Sequence, residues 1–131
     1  MKETLTIAVD FDGTIVEDAY PKIGKEQLFA FDTLKKLQEK GHRLILWTYR
    51  YGKALDEAVA FCKENGLTFY AVNKSFPEEE FDLKYSRKIN ADLFIDDRNI
   101  GGLKGWGEIY QTLVGGTVPV PPKKKKSWFG L

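Results

Sequence analysis

Residues 7–14 read IAVDFDGT, and this stretch decides the expected fold. It completes an apolar, β-branched run over residues 4–9, which is typical of a central parallel strand covered on both faces. Two carboxylates, Asp10 and Asp12, follow directly. They stand two positions apart, so in an extended chain their side chains point the same way. We therefore expect an acidic site at the end of this strand, of the kind that binds Mg²⁺ through oxygen ligands.

The composition is that of one ordinary globular domain. The chain has 131 residues, of which 43% are hydrophobic and 30% charged, so it can build a core without disulfides or structural metals. We expect a domain over residues 1–114 and a flexible Pro/Lys-rich tail over 115–131. Four lysines at 123–126 belong to that tail, and without them the net charge of +1 becomes acidic. The body of the domain therefore has no basic field for nucleic acid.

The single cysteine, Cys62, cannot form an internal disulfide. With no signal-peptide pattern and no long apolar run, we expect a cytoplasmic protein. The single histidine, His42, precedes the second strand, at the opposite end of the sheet from the acids, so a Cys–His nucleophile is not expected. The lysines of the tail predict a solvated segment, and contact with nucleic acid or a membrane through it is not expected.

Apolar runs alternate with helical patterns along the rest of the chain. Further strands are predicted at 44–47, 67–72 and 93–95. Helices are predicted from Lys25 to a stop at Gly41, and over 53–65, 77–88 and 106–113, with a loop over 15–23. This order indicates an α/β fold, a Rossmann-like three-layer sandwich around a mostly parallel sheet, with no room for a large cap.

Polar residues follow each predicted strand. Thr48 follows the second strand, Lys74 the third, and Asp96 with Asp97 the fourth. Because the carboxyl ends of parallel strands meet at one edge of the sheet, we expect these groups to converge on the acids of the first strand. Several carboxylates, a hydroxyl and an ammonium together favour a Mg²⁺-dependent site for a phosphorylated substrate.

The block from Asp10 to Thr14, with Thr48, a later lysine and the Asp96–Asp97 pair in this order, resembles the phosphatase branch of the haloacid dehalogenase superfamily. The resemblance implies a Mg²⁺-dependent phosphomonoester hydrolase that works through an aspartyl-phosphate intermediate. It implies Asp10 as the nucleophile and Asp12 as the general acid and then the general base.

The resemblance also implies how the metal and the phosphoryl group are held. Asp10, the backbone carbonyl of Asp12, and Asp96 would bind Mg²⁺, with Asp97 as a second or supporting ligand. Thr48 would donate a hydrogen bond to the phosphoryl group, and a lysine would neutralise its charge.

That lysine is Lys74 or Lys88, with Lys84 a third candidate. Lys74 stands at the end of the third strand, on the expected side of the sheet. Lys88 should begin at the far end of the fourth strand unless its loop folds back. Lys74 is therefore preferred.

Gly13, Thr14, Tyr49 and Arg50 are assigned to substrate binding, and Arg50 is the preferred second contact. Glu17, Asp18 and Tyr20 could line the entrance. By resemblance, a capless and open site suits a bulky phosphorylated substrate, or a neighbouring subunit that acts as the lid in a homo-oligomer.

Three alternatives remain beside the phosphatase. The same intermediate could pass its phosphoryl group to an alcohol, as in a phosphotransferase. A receiver-type signalling domain also uses acids, a threonine and a lysine, but the third strand here ends in Asn73 and Lys74 rather than in a phospho-accepting aspartate. A non-catalytic binding protein that uses its basic tail is the third.

Overall fold

The computed structural model describes residues 4–80 and 87–115. These residues form four strands and three helices: β1 (Thr6–Val9), α1 (Ala30–Glu39), β2 (Arg43–Leu46), α2 (Gly52–Glu64), β3 (Ala71–Val72), β4 (Leu93–Ile95) and α3 (Trp106–Leu113). The predicted tail over 115–131 lies outside the described residues except for Gly115.

The strands form one parallel sheet in the order β3-β2-β1-β4. β1 is central, and its last residue, Val9, pairs with Leu46 on one side and with Ile95 on the other. Parallel strands of this kind require crossover connections, which α1 and α2 supply. The predicted α/β, Rossmann-like three-layer architecture is confirmed.

The sheet lies between two apolar layers because successive side chains of a strand point to opposite faces. On one face, Ile7 and Val9 pack with side chains from all three helices, including Leu34, Cys62 and Ile109. On the other face, Ala8, Ile45 and Ala71 pack with Ile89, from the segment that leads into β4.

Helix α1 begins five residues later than predicted. Leu28, the first member of its expected apolar stripe, is 58% exposed, and Phe29 has φ 69°, outside the helical region. The preceding residues pair instead with the loop after β1: the N–H of Gln27 donates to the carbonyl of Ile15, and Val16 bridges Glu26. This local pairing competes with the helix, which therefore begins only at Ala30.

The segment between α2 and β4 also differs from the prediction. Only Ala71–Val72 of the expected strand 67–72 pairs in the sheet. Of the expected helix 77–88, residues 77–80 and 87–88 are not helical, and residues 81–86 lie outside the described range. The carboxylate of Glu79 accepts a hydrogen bond from the N–H of Ser75, which closes a turn where a helix was expected.

Although β4 comes from an apolar run, its Leu93 and Phe94 are 37% and 39% exposed. The reason is its position, because β4 lies at the edge of the sheet. The Nδ1 of His42 accepts a hydrogen bond from the N–H of Leu5, at the end of the sheet away from the acids, as predicted. Within the described ranges, no helix is long and apolar enough to cross a membrane.

Candidate active site

The carboxyl ends of β1, β2 and β4 open onto one cavity of about 650 Å³. Its lining includes acids from β1 and β4, the residues after β2, and one acid of the loop after β1: Asp10, Asp12, Asp96, Thr48, Tyr49 and Asp18. The sheet order explains this convergence, because β1 lies between the other two strands. The structure thus brings together three of the four groups of polar residues predicted at strand ends.

Three carboxylates of this site form a cluster that suits a divalent cation. One oxygen each from Asp10, Asp96 and Asp97 lies within 4.8 Å of the others. The Oδ1 of Asp97 is buried and, among the described residues, accepts no hydrogen bond. A buried carboxylate oxygen without a partner is costly, and a hard cation such as Mg²⁺ would supply the partner. The side chains of this cluster therefore fit the predicted metal.

The surroundings of Asp10 favour its protonated form when no cation is bound. Burial raises the pKa of Asp10 to about 7, helped by the negative charge of Asp96 and by a hydrogen bond with the Asp97 side chain. The Thr14 hydroxyl acts in the other direction by donating a hydrogen bond of 2.9 Å to Asp10 Oδ2. Like-charged carboxylates in such proximity are typical of metal or catalytic sites.

Gly13 and Thr14, which were predicted to bind substrate, support the acids. The Thr14 hydroxyl bridges Asp10 and the backbone N–H of Asp97, and its side chain is fully buried. The N–H of Gly13 donates to the carbonyl of Val16. A Cβ on Gly13 would overlap Asp97 Oδ2, so glycine is required for Asp97 to approach. The Gly13 N–H and the Thr14 hydroxyl are thus committed within the protein.

Arg50 was predicted as a second contact to substrate, and the structure corrects this. Its guanidinium is buried and forms a two-pronged ion pair with Asp12, with both N–H···O distances at 2.7 Å. Its remaining N–H groups donate to the carbonyls of Pro21, Lys22 and Ala54. A guanidinium has five N–H groups, so none is left for a ligand.

The ion pair between Arg50 and Asp12 determines the charge of the guanidinium and the contacts of the Asp12 carboxylate. The hydrogen bonds to Asp12 raise the pKa of Arg50, which therefore stays protonated. The Asp12 carboxylate is held by Arg50 and is not a member of the cluster of three carboxylates. Metal binding by the backbone carbonyl of Asp12 stays a prediction.

Thr48 and Tyr49 line the cavity as predicted for residues that meet a substrate. The Thr48 N–H donates to Asn73 Oδ1 at 2.8 Å, and its hydroxyl oxygen accepts from the Arg50 N–H at 3.1 Å. The hydroxyl proton of Thr48 can therefore be donated to a ligand. Tyr49 is 58% exposed and packs against Tyr20, with ring centroids 4.9 Å apart.

The charge-neutralising lysine is not identified by the cavity. Its described lining residues include neither Lys74 nor Lys88, and Lys84 lies outside the described range. The cation that does line the cavity is Arg98, which follows the Asp96–Asp97 pair. No function was predicted for Arg98, although its place directly after two predicted metal ligands was a usable signal.

Three more residues of the site were missed. Trp47 lines the cavity beside Thr48, and the Trp106 indole N–H donates to the buried carbonyl of Thr14. Asn73 has φ 55° and accepts the hydrogen bond from the N–H of Thr48. An asparagine directly after an apolar strand was the available signal for Asn73, since asparagine tolerates positive φ better than most residues. The indole contact joins residues 92 positions apart and left no local signal.

Comparison with known proteins gives one informative match. No protein-family model matches the chain, and no curated protein matches it significantly. A solved structure, that of the conserved protein coded by locus from Bacteroides thetaiotaomicron, superposes with a TM-score of 0.80. Its sequence is 58% identical, and the match covers 85% of this chain and 90% of that one. The chain therefore belongs to the same family as this conserved Bacteroides thetaiotaomicron protein.

Proposed function

We propose that the protein is a Mg²⁺-dependent phosphomonoester hydrolase of the haloacid dehalogenase type. The observation that carries the proposal is the cluster of Asp10, Asp96 and Asp97, with its unpartnered Asp97 oxygen. Two of these acids, Asp10 and Asp96, line the same cavity as Asp12. Purely structural ion-pair networks rarely leave a buried carboxylate oxygen without a donor.

The chemistry would run in two displacements at phosphorus. A carboxylate oxygen of Asp10 attacks the phosphoryl group in line, the bond from phosphorus to the ester oxygen breaks, and Asp12 gives a proton to the departing alcohol. Water then attacks the aspartyl-phosphate, Asp12 takes the proton of that water, and phosphate leaves with Asp10 regenerated. Thr14 orients the nucleophile, and the Thr48 hydroxyl offers a hydrogen bond to the phosphoryl oxygens.

Asp10, Asp96 and Asp97 would hold the Mg²⁺. When bound, the ion supplies positive charge that stabilises the phosphoryl oxygens and favours the ionised form of the nucleophile. The neighbouring Arg98 adds a further positive charge to a cavity that is otherwise acidic.

The proposal extends to partner and location. The partner is a phosphorylated substrate that enters an open cavity, whose mouth carries the exposed Tyr49 ring. A cytoplasmic location is supported by the single cysteine, Cys62, which is a buried free thiol. Transfer of the phosphoryl group to an alcohol instead of water would use the same residues, and product analysis with glycerol present separates the two activities.

The test is phosphate release from a panel of phosphomonoesters with Mg²⁺ and with EDTA. Asp10→Asn removes the nucleophile, whereas Asp56→Asn removes an exposed carboxylate of α2 and serves as the matched control. We expect Mg²⁺-dependent turnover in the wild type and in Asp56→Asn, and a loss of at least about 10³-fold in Asp10→Asn. Turnover that survives in Asp10→Asn, or that ignores EDTA, would contradict the proposal.

A further inference from the structure

Arg50 forms an ion pair with Asp12, a residue that lines the cavity, and every N–H of its guanidinium has an acceptor within the protein. Asp12 lines the cavity and is 5% exposed, whereas Arg50 is 1% exposed and is not among the residues that line it. Each Asp12 oxygen accepts one N–H of Arg50 at 2.7 Å. A carboxylate oxygen has two lone-pair positions, so each oxygen keeps one that Arg50 does not use.

The position of Arg50 is itself strongly determined. Its guanidinium carbon lies 5.0 Å from the ring centroid of Phe11 and 5.1 Å from that of Tyr20. Three backbone carbonyls, from two residues of the loop after β1 and one residue of α2, accept its other N–H groups. A planar fork held on every N–H has no freedom to rotate, and neither has the carboxylate that it grips.

We propose that Arg50 is a positioning residue that fixes the orientation in which Asp12 exchanges a proton with the ester oxygen. This inference rests on the proposed function, in which Asp12 is the general acid. Proton transfer requires the donor to lie within hydrogen-bond reach of the leaving oxygen, so a carboxyl group free to rotate would be a poorer donor. Lysine cannot replace the guanidinium, because an ammonium group is a point charge without the two-pronged geometry.

The experiment compares two substrates of similar shape that differ in their need for an acid. Phenoxide is a basic leaving group that needs a proton, whereas p-nitrophenoxide departs readily without one. For Arg50→Lys we expect kcat/KM with phenyl phosphate to fall about tenfold more than with p-nitrophenyl phosphate, which is part of the roughly 10²- to 10⁴-fold that a general acid contributes. Asp12→Asn should show the same selective loss, and Arg43→Lys, an exposed arginine at the start of β2, should leave both values unchanged.

Arg50→Gln is the second variant, for use if Arg50→Lys fails to fold, because glutamine leaves no unpaired cation buried. Thermal unfolding shows whether each variant is folded. An equal fall with both substrates, in a folded variant, would overturn the inference and leave the hydrolase standing. An unselective loss in Asp12→Asn would remove Asp12 as the acid, and the inference with it. No turnover of either ester by the wild type would overturn the proposed function itself.

Discussion

At the scale of single residues, Gly13 shows how closely the backbone and the acids of this site approach each other. Its φ is +85°, a conformation that favours glycine, and a Cβ would overlap Asp97 Oδ2. Gly101 has a similar φ of +88°, but a Cβ there would meet nothing within 4 Å. Substitution of Gly101 therefore tests the cost of the positive φ alone, whereas substitution of Gly13 also tests contact with the Asp97 carboxylate.

We expect Mg²⁺ to raise the Tm of the wild type but not that of Gly13→Ala, because the new methyl group displaces the Asp97 carboxylate. Gly101→Ala should keep that rise, although the positive φ costs both variants about 1 kcal/mol or more of folding free energy. Thermal unfolding with and without Mg²⁺ measures both effects. An equal Mg²⁺-dependent shift in the two variants would show that Asp97 does not need the space.

Membership of the site was predictable from the sequence for residues whose place depends on their neighbours along the chain. Asp10, Asp12 and the Asp96–Asp97 pair follow apolar strands, and the structure places them in one site. The partners of Thr14 and Arg50 were not predictable, since Arg50 meets Asp12 across 38 positions and Thr14 meets the N–H of Asp97 across 83. A polar side chain beside a motif can equally face the ligand or support the motif, and only its distant partner decides.

At the scale of elements, the ends of neighbouring strands support one another. β2 pairs with β3, and the residues after them, Thr48 and Asn73, are joined by the hydrogen bond from the Thr48 N–H to Asn73 Oδ1. The N–H of Asn73 in turn donates to the carbonyl of Leu46. The turn after β2, which carries Thr48 and Tyr49 into the cavity, is therefore held from β3.

We expect Asn73→Gly to lower kcat/KM for phosphomonoesters by about tenfold, because glycine keeps the positive φ but removes the acceptor that fixes Thr48. Asn73→Asp keeps an acceptor oxygen at the same place and should retain activity. Steady-state kinetics and Tm are measured for both variants. Wild-type kinetics in Asn73→Gly would mean that Thr48 needs no support from β3.

The boundaries of elements were predicted less well than their existence. α2 and α3 begin and end close to the predicted residues, whereas α1 begins at Ala30 and not at Lys25. The apolar spacing that suggested the longer helix included Leu28, which is 58% exposed. The helical propensity of residues 25–29 competes with the pairing of Glu26 to Val16, and that pairing depends on how the loop after β1 folds.

At the scale of the whole molecule, the acidic cluster opposes folding when no cation is present. The pKa of Asp10 is about 7 in the folded protein against an ordinary value of 3.8, so the folded state binds more protons than the unfolded state between these values. Stability contributed by protonated Asp10 is fully present below about 3.8 and is lost as the pH rises through about 7.

We therefore expect the free energy of unfolding of the metal-free protein to fall between these pH values, by at most about 1.4 kcal/mol per pH unit from Asp10. Asp10→Asn should lack this part of the slope, and the exposed Asp56→Asn should keep it. Mg²⁺ should raise Tm most above pH 7, where the carboxylate form that it binds prevails. Urea unfolding across the range gives the slopes, and identical slopes in wild type and Asp10→Asn would refute the expectation.

The sequence by itself determined the parallel α/β fold, the order of its main elements and the acids at the ends of β1 and β4, because apolar runs and the polar residues that follow them are local features. Tertiary structure decided which polar groups face the cavity and which support it. Arg50, which was predicted to contact substrate, pairs with Asp12. Thr14 bridges Asp10 and the N–H of Asp97, and Asn73 accepts a hydrogen bond from the N–H of Thr48. The physical reason is hydrogen-bond satisfaction: a buried polar group takes the partner that the folded chain brings within about 3 Å, whatever its distance in sequence.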